Sequence, residues 1–303
     1  MNWIKKGLIY TPEGKVEWAK HSALQPTPFV LNKGQLRIYA GFRDNGGVSR
    51  IGFVDVDLDD PSRILNVSSS PVLDIGQPGT FDDNGVVPAA IVRRNRSLYL
   101  YYAGYHLEHR IRFTVFGGLA ISEDGGNSFH RYSKAPILDR TDKELFFRVV
   151  HSVLFEDGVW KIWYGAGSEW IAGHKKQLPV YDIRYLESPD GINFGDEGQI
   201  CIKMKDKDEH RVGRPYVVKD DGTYKMFYSV GTKSKRYRLG YAESNDGVNW
   251  ERKDGDTGLD VSSSGWDSEM VAYPSVVQHK QRTYLFYNGN NMGQTGFGYA
   301  VLE

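Results

Sequence analysis

The text SEDGGNSF, beginning at Ser122, returns in shortened form as SPDGINF at Ser188 and SNDGVNW at Ser244. A turn of this kind, met at intervals of about sixty residues, is the mark of a chain built from repeated supersecondary units. The text around each copy fits that reading. RPYVVKDDGTYKMFYSVG from Arg214 reads as strand, Asp-Gly turn and strand, and YRLGYAESNDGVNWER from Tyr237 adds a third strand, the repeated turn and a fourth. Together they form one four-stranded meander.

The first two strands of the unit recur as TPFVLNKGQLRIYAG from Thr27, VPAAIVRRNRSLYLYYAG from Val87, HSVLFEDGVWKIWYGAG from His151, the Arg214 copy, and YPSVVQHKQRTYLFYNG from Tyr273. Five copies account for residues 1–303 as a single domain. The predicted fold is therefore all-β, a five-bladed β-propeller of four-stranded antiparallel blades. The last unit ends after its third strand, and the opening MNWIKKG resembles the fourth-strand text VNWERKDG. The N-terminal strand is expected to complete the last blade and remove two open sheet edges.

Within the repeated turns, Ser122, Ser188 and Ser244 with Asp124, Asp190 and Asp246 are expected to bond their own backbone, with glycine taking the positive φ. Phe129, Phe194 and Trp250 then pack between blades. Lys+Arg 38 balance Asp+Glu 38, so no charge excess points to nucleic acid. No apolar run reaches a membrane span of about 18 residues, and the single Cys201 excludes an internal disulfide framework. These features and the absence of a signal-like opening predict a cytoplasmic protein. His106 and His109 are too few for a zinc site, and no phosphate-cradling or dinucleotide loop occurs. Neither a metal nor a cofactor is expected.

The five units, the S-x-D-G turns and openings such as FDDNGVVPAAIV and GWDSEMVAYPSVV resemble the five-bladed propeller glycosidase superfamily of arabinanases, invertases, levansucrases and β-mannoside phosphorylases. The resemblance implies a sugar site at the funnel face, where first strands begin and second strands end. It also implies a carboxylate base in the first blade, a supporting Asp in the second and an acid Glu in the third. Here the sequence departs from the pattern: Thr27 precedes Pro28, and Arg148, Val149, Val150 and His151 have no carboxylate beside them.

The remaining catalytic candidates are Asp83 and Glu269, as acid and base across the funnel, with Asp82 as the alternative to Asp83. A carboxylate that caps a turn or pairs with arginine fits the same text. Arg148, Arg211 and Arg214 offer bidentate donors for a carboxylate or phosphate, with interblade ion pairs as the alternative. Arg43, Asp44, His106, His151, Glu169, His210 and Tyr273 fall on the same face. Trp170, in a long loop, is placed to stack on a sugar or to pack between blades. The expected partner is a small sugar or sugar phosphate. Three functions follow: a glycosidase-, phosphorylase- or transglycosylase-like enzyme, a non-catalytic binder of carbohydrate or nucleotide sugar, or a protein interaction scaffold.

Overall fold

The structure, a computed structural model, describes residues 1–303, and almost every ordered element is a strand. One sheet holds β2 (His21–Asn32), β3 (Gln35–Arg43), β4 (Ser49–Asp57) and β5 (Ile64–Val67), in chain order. A long sheet contains three further meanders. They are β6 (Val86–Arg94) to β9 (His130–Arg131) through β7 (Ser97–Leu107) and β8 (Phe113–Ser122); β10 (Phe147–Glu156) to β13 (Gln199–Ile202) through β11 (Val159–Ile171) and β12 (Leu178–Ser188); and β14 (Glu209–Asp220) to β17 (Glu251–Arg252) through β15 (Thr223–Thr232) and β16 (Arg238–Ser244). Short parallel contacts, Phe147 with Val115 and Tyr181 with Arg211, join these meanders.

In the third sheet, β18 (Ala272–His279), β19 (Arg282–Asn288) and β20 (Phe297–Leu302) are followed in space by β1 (Trp3–Tyr10), which runs antiparallel to β20 from Trp3↔Leu302 to Tyr10↔Phe297. The innermost strands β2, β6, β10, β14 and β18 lie side by side, and β18 returns to β2, where Ser275 Oγ donates to the Pro26 carbonyl at 2.8 Å.

The tight hairpins follow from their turn residues. Asp157-Gly158 and Asp221-Gly222 both take positive φ, as two-residue hairpins require. The repeated serine turns have the bonding expected of them. Ser188 Oγ donates to Asp190 Oδ1 and accepts from the Gly191 amide, while Asp190 Oδ1 accepts from the Ile192 and Asn193 amides. The Ser244 turn repeats this arrangement.

The turns also join neighbouring units. Tyr39, Tyr101 and Trp163, at one position of successive second strands, donate to the carbonyls of Gly126, Gly191 and Gly247 in the next unit's turn, at 2.9, 2.8 and 2.7 Å. Phe129 packs edge-on against Tyr39 and Trp250 against Trp163, and Phe194 packs with Tyr101 and Trp160. Trp3 on β1 packs edge-on against Phe227 in the same manner. The core is therefore a series of apolar layers between successive sheets.

Candidate functional site

Each innermost strand breaks register with its partner near its start: at Leu24/Thr27, Pro88/Ala90, Val150/Ser152, Gly213/Tyr216 and Ala272/Ser275. A bulge leaves a residue unpaired and re-aims its side chain. In three strands a proline follows the bulged residue and has no N–H for the ladder, so the pairing must open there. Gln25, Arg214 and Tyr273, before Pro26, Pro215 and Pro274, have φ of 53°, 55° and 57°. Positive φ costs a non-glycine residue about 1 kcal/mol and persists where the surroundings enforce it. The register breaks have a geometric consequence: Gln25, His151, Arg214 and Tyr273 all reach the wall of one central cavity of about 980 Å³.

Arg214 forms the floor. Its guanidinium donates to the Ala89 carbonyl at 2.6 Å, to Thr27 Oγ1 at 2.8 Å and to the His151 carbonyl at 3.3 Å, and so ties four units together. Burial pulls its pKa down to about 10. Burial, with the Arg214 charge second, also drives the His151 pKa well below its usual value, so this imidazole is neutral at physiological pH. Above the floor stand Tyr105, Tyr181, Tyr237 and Tyr273. The hydroxyls of Tyr181 and Tyr237 are 2.5 Å apart, Tyr273 Oη donates to Met292 Sδ at 3.2 Å, and Arg211 stacks on the Tyr237 ring at 4.2 Å.

The charge on this wall is of one sign. Arg43, Arg112, Lys176, Arg211, Arg214 and Arg236 line it, and no Asp or Glu does. Only Arg236 has a carboxylate partner, Glu269 at 2.8 Å. The wall is also incompletely bonded. Of nine buried side-chain polar atoms that lack a hydrogen-bond partner, six belong to wall residues: Gln25 Oε1, Arg43 Nε, Ser49 Oγ, His151 Nδ1, Arg211 Nε and Arg214 Nε. Buried polar groups are normally satisfied, so such a concentration in one cavity marks where a polar ligand would bond.

Of the residues singled out from the sequence, Arg43, His151, Arg211, Arg214 and Tyr273 meet on this wall. The three catalytic candidates do not. Asp82 is buried behind the wall, where it accepts from Thr80 Oγ1, Tyr102 Oη and Arg131 Nε at 2.9, 3.0 and 2.7 Å. Asp83 accepts from the Gly79 amide at 2.8 Å and pairs with His106 Nδ1 at 2.9 Å. Glu269 is half-exposed in its pair with Arg236.

A repeated arrangement explains Asp82. A second-strand tyrosine donates to a carboxylate that a cation also holds: Tyr102 with Asp82 and Arg131, Tyr164 with Glu144 and Arg148, Tyr228 with Asp254 and Arg252, Tyr287 with Asp267 and Lys5. These carboxylates fasten a unit internally. Arg148 belongs to this set, and also donates to the carbonyls of Asp139 and Gly195, so it is not free to bind a ligand.

The other assignments also move off the wall. Asp44 is spent on Arg50 and the Val48 amide, and Glu169 is exposed beyond the rim. Trp170 packs against Phe113 and Phe147, behind the wall. His210 donates from Nδ1 to the Pro179 carbonyl, and burial lowers its pKa. The residues that sequence reading missed, Arg112, Lys176, Tyr181, Arg236 and Tyr237, lie beside or at the starts of third strands. In an antiparallel meander the third strand begins on the face where the second ends, a rule that would have found them.

The fold is that of the carbohydrate-active propellers. No protein-family model matches the chain. Among solved structures, a thermostable family-43 glycoside hydrolase superposes with a TM-score of 0.68 at 19% identity, over 96% of this chain and 90% of that one. The β-1,2-mannobiose phosphorylase of Listeria innocua superposes with a TM-score of 0.73 at 14% identity, over 100% and 96%. At these identities the likeness is one of fold. In sequence, the chain is 36% identical over 303 residues, the full length of both, to the uncharacterized protein Rv1502 of Mycobacterium tuberculosis. It belongs to the Rv1502 family.

Proposed function

We propose that residues 1–303 form a single five-bladed propeller closed by Trp3–Tyr10, and that its central cavity recognises an anionic or phosphorylated sugar in the cytoplasm. The observation that carries this reading is the wall itself: six cations, no carboxylate, and six buried polar atoms without partners. An anion would neutralise the first feature and sugar hydroxyls would satisfy the second. The tyrosine rings supply the apolar surface on which a sugar face rests.

Glycoside cleavage by an acid and base pair needs two carboxyl groups flanking the bond. The wall offers none, which favours recognition over hydrolysis. One observation supports chemistry of another kind. His151 is neutral and its buried Nδ1 has no partner, so it is able to hydrogen-bond a bound hydroxyl and position it for reaction, while burial and the Arg214 charge make it a weak base.

Calorimetric titration against neutral hexoses, uronates, hexose phosphates and nucleotide sugars tests the reading. An anionic sugar should bind more tightly than its neutral parent, and Arg43→Gln should remove much of that preference. Equal affinity for charged and neutral sugars would overturn the anionic reading. If turnover accompanies binding, His151→Gln should abolish it while affinity persists.

A further inference from the structure

We propose that Arg112, Lys176 and Arg211 form a subsite for a phosphate group carried by the bound sugar. This rests on the anionic-sugar reading and narrows it from anions in general to a phosphate dianion. The three side chains come from separate segments: Arg112 precedes β8, Lys176 lies in the connection between β11 and β12, and Arg211 is on β14. None has a carboxylate within ion-pair distance, although the chain as a whole balances its charges.

The three cations act on one another. The Arg112 charge, then burial and the Arg211 charge, lower the Lys176 pKa, and burial and Arg211 lower that of Arg112. Like charges held this close without a counter-ion repel, and an anion between them relieves the repulsion. A carboxylate brings one negative charge, whereas a phosphate monoester brings about 1.5 to 2 at neutral pH with three acceptor oxygens. Three cations brought to one wall by three segments, with Arg112 Nη1 on the Gln177 carbonyl next to Lys176, match the second.

The arginines are already held in place. Arg211 stacks on Tyr237 at 4.2 Å, opposite Tyr181 in the β12–β14 contact, and its buried Nε bonds to nothing in the protein. Arg112 lies 5.1 Å from the Phe113 ring and 6.0 Å from that of Trp170. Aromatic faces fix the planar guanidinium, and the only protein bond on either N–H edge is the Arg112 Nη1 donation to the Gln177 carbonyl at 3.5 Å, so less is lost when a phosphate binds. Lys176 then adds an exposed charge. On this account Trp170 supports Arg112, which gives that side chain a purpose without direct sugar contact.

The test begins with inorganic phosphate and acetate as probes at matched ionic strength, with calorimetry and melting temperature as readouts. Phosphate should bind and stabilise where acetate does not. The double substitution Arg112→Gln with Lys176→Gln should weaken phosphate by about tenfold for each cation removed, and Lys33→Gln, on an exposed hairpin, should not. Neither Arg112 nor Lys176 carries an ion pair, and circular dichroism with an unchanged melt confirms the double variant is folded. Indistinguishable phosphate and acetate, or a double variant that still responds to phosphate, overturns the subsite. Hexose 1- and 6-phosphates then identify the source. Tighter binding than orthophosphate supports a sugar-borne group, and equal binding overturns that assignment in favour of free phosphate. Uronate binding with no response to phosphate overturns the subsite and leaves the anionic-sugar reading standing.

Discussion

Replacing Asp82 with alanine separates a structural carboxylate from a catalytic one. The carboxylate accepts from Thr80, Tyr102 and Arg131, and the Tyr102 ring is wholly buried. Without Asp82 the Tyr102 hydroxyl is left with no acceptor, at a cost of about 1–3 kcal/mol, and the loss of the charged Arg131 bond adds about 1.5–3. Arg131 is partly exposed and turns to water, which trims the sum to about 2–5 kcal/mol. Unfolding entropy of about 2.1 cal/mol/K per residue, taken over 303 residues, gives about 0.6 kcal/mol/K. The expected fall in melting temperature is about 3–8 °C, read by calorimetry or fluorescence. Asp82→Asn keeps an acceptor for Tyr102 and should lose less. Sugar affinity should be unchanged in both. A melt within a degree of wild type, or lost ligand binding at an unchanged melt, would refute the reasoning and return Asp82 to the site.

Removing residues 1–10 strips β1 from β20 and exposes Phe227 where Trp3 packs; the melt should fall by many degrees, and an unchanged melt would sink the closure argument. Gly240→Ala places a methyl group 2.2–2.8 Å from Tyr228 ring atoms, an overlap expected to cost about 1–3 kcal/mol, measurable by urea denaturation. The turn aspartates make an acid prediction. The Asn193 amide above all, with the Ile192 amide, holds Asp190 down at about 2, and the Asn249 amide leads in lowering Asp246. A depressed folded-state pKa stabilises above the unfolded value of about 3.9. That contribution disappears as pH falls toward 2. The slope of melting temperature between pH 4 and pH 2 should therefore be shallower in Asp190→Asn than in wild type, and an identical slope would count against the turn's role.

The strands, their grouping and the serine turns were legible because each rests on local chemistry: alternating apolar text, Asp-Gly hairpins and a Ser-Asp pair bonding its own backbone. The pairing of β1 with β20 was legible because Trp3 sits in text like that around Trp250. The site was harder to read. A carboxylate before an inner strand looks the same in sequence whether it faces the channel or a second-strand tyrosine. The distinguishing signal lay elsewhere in the chain, in the second tyrosine of YYAG, the tyrosine of WYGAG and that of FYNG, each of which takes up one carboxylate as Tyr102, Tyr164 and Tyr287. The first unit reads IYAG, with Ala40 at that position. The bulges were legible in principle as well, since Gln-Pro, Arg-Pro and Tyr-Pro recur near the starts of three inner strands.

The same bonding explains why a chain of balanced composition has a cationic cavity. Asp82, Glu144, Asp254 and Asp267 are drawn outward by tyrosine hydroxyls and by Arg131, Arg148, Arg252 and Lys5. Turn carboxylates such as Asp190 and Asp246 are committed to their own backbone. Negative charge is thereby placed within and between the sheets, where each group is matched, while the bulged inner strands and the third-strand starts bring unmatched arginine to the centre. Removing the cavity's positive charge should relieve repulsion rather than break pairs. It follows that Arg112→Gln and Lys176→Gln should leave folding stability unchanged or slightly raised while weakening anion binding, whereas Arg214→Gln, which severs the floor bonds to Ala89, Thr27 and His151, should lower both. A rim variant that melts well below wild type would show that those cations hold the fold together and are not held ready for a ligand.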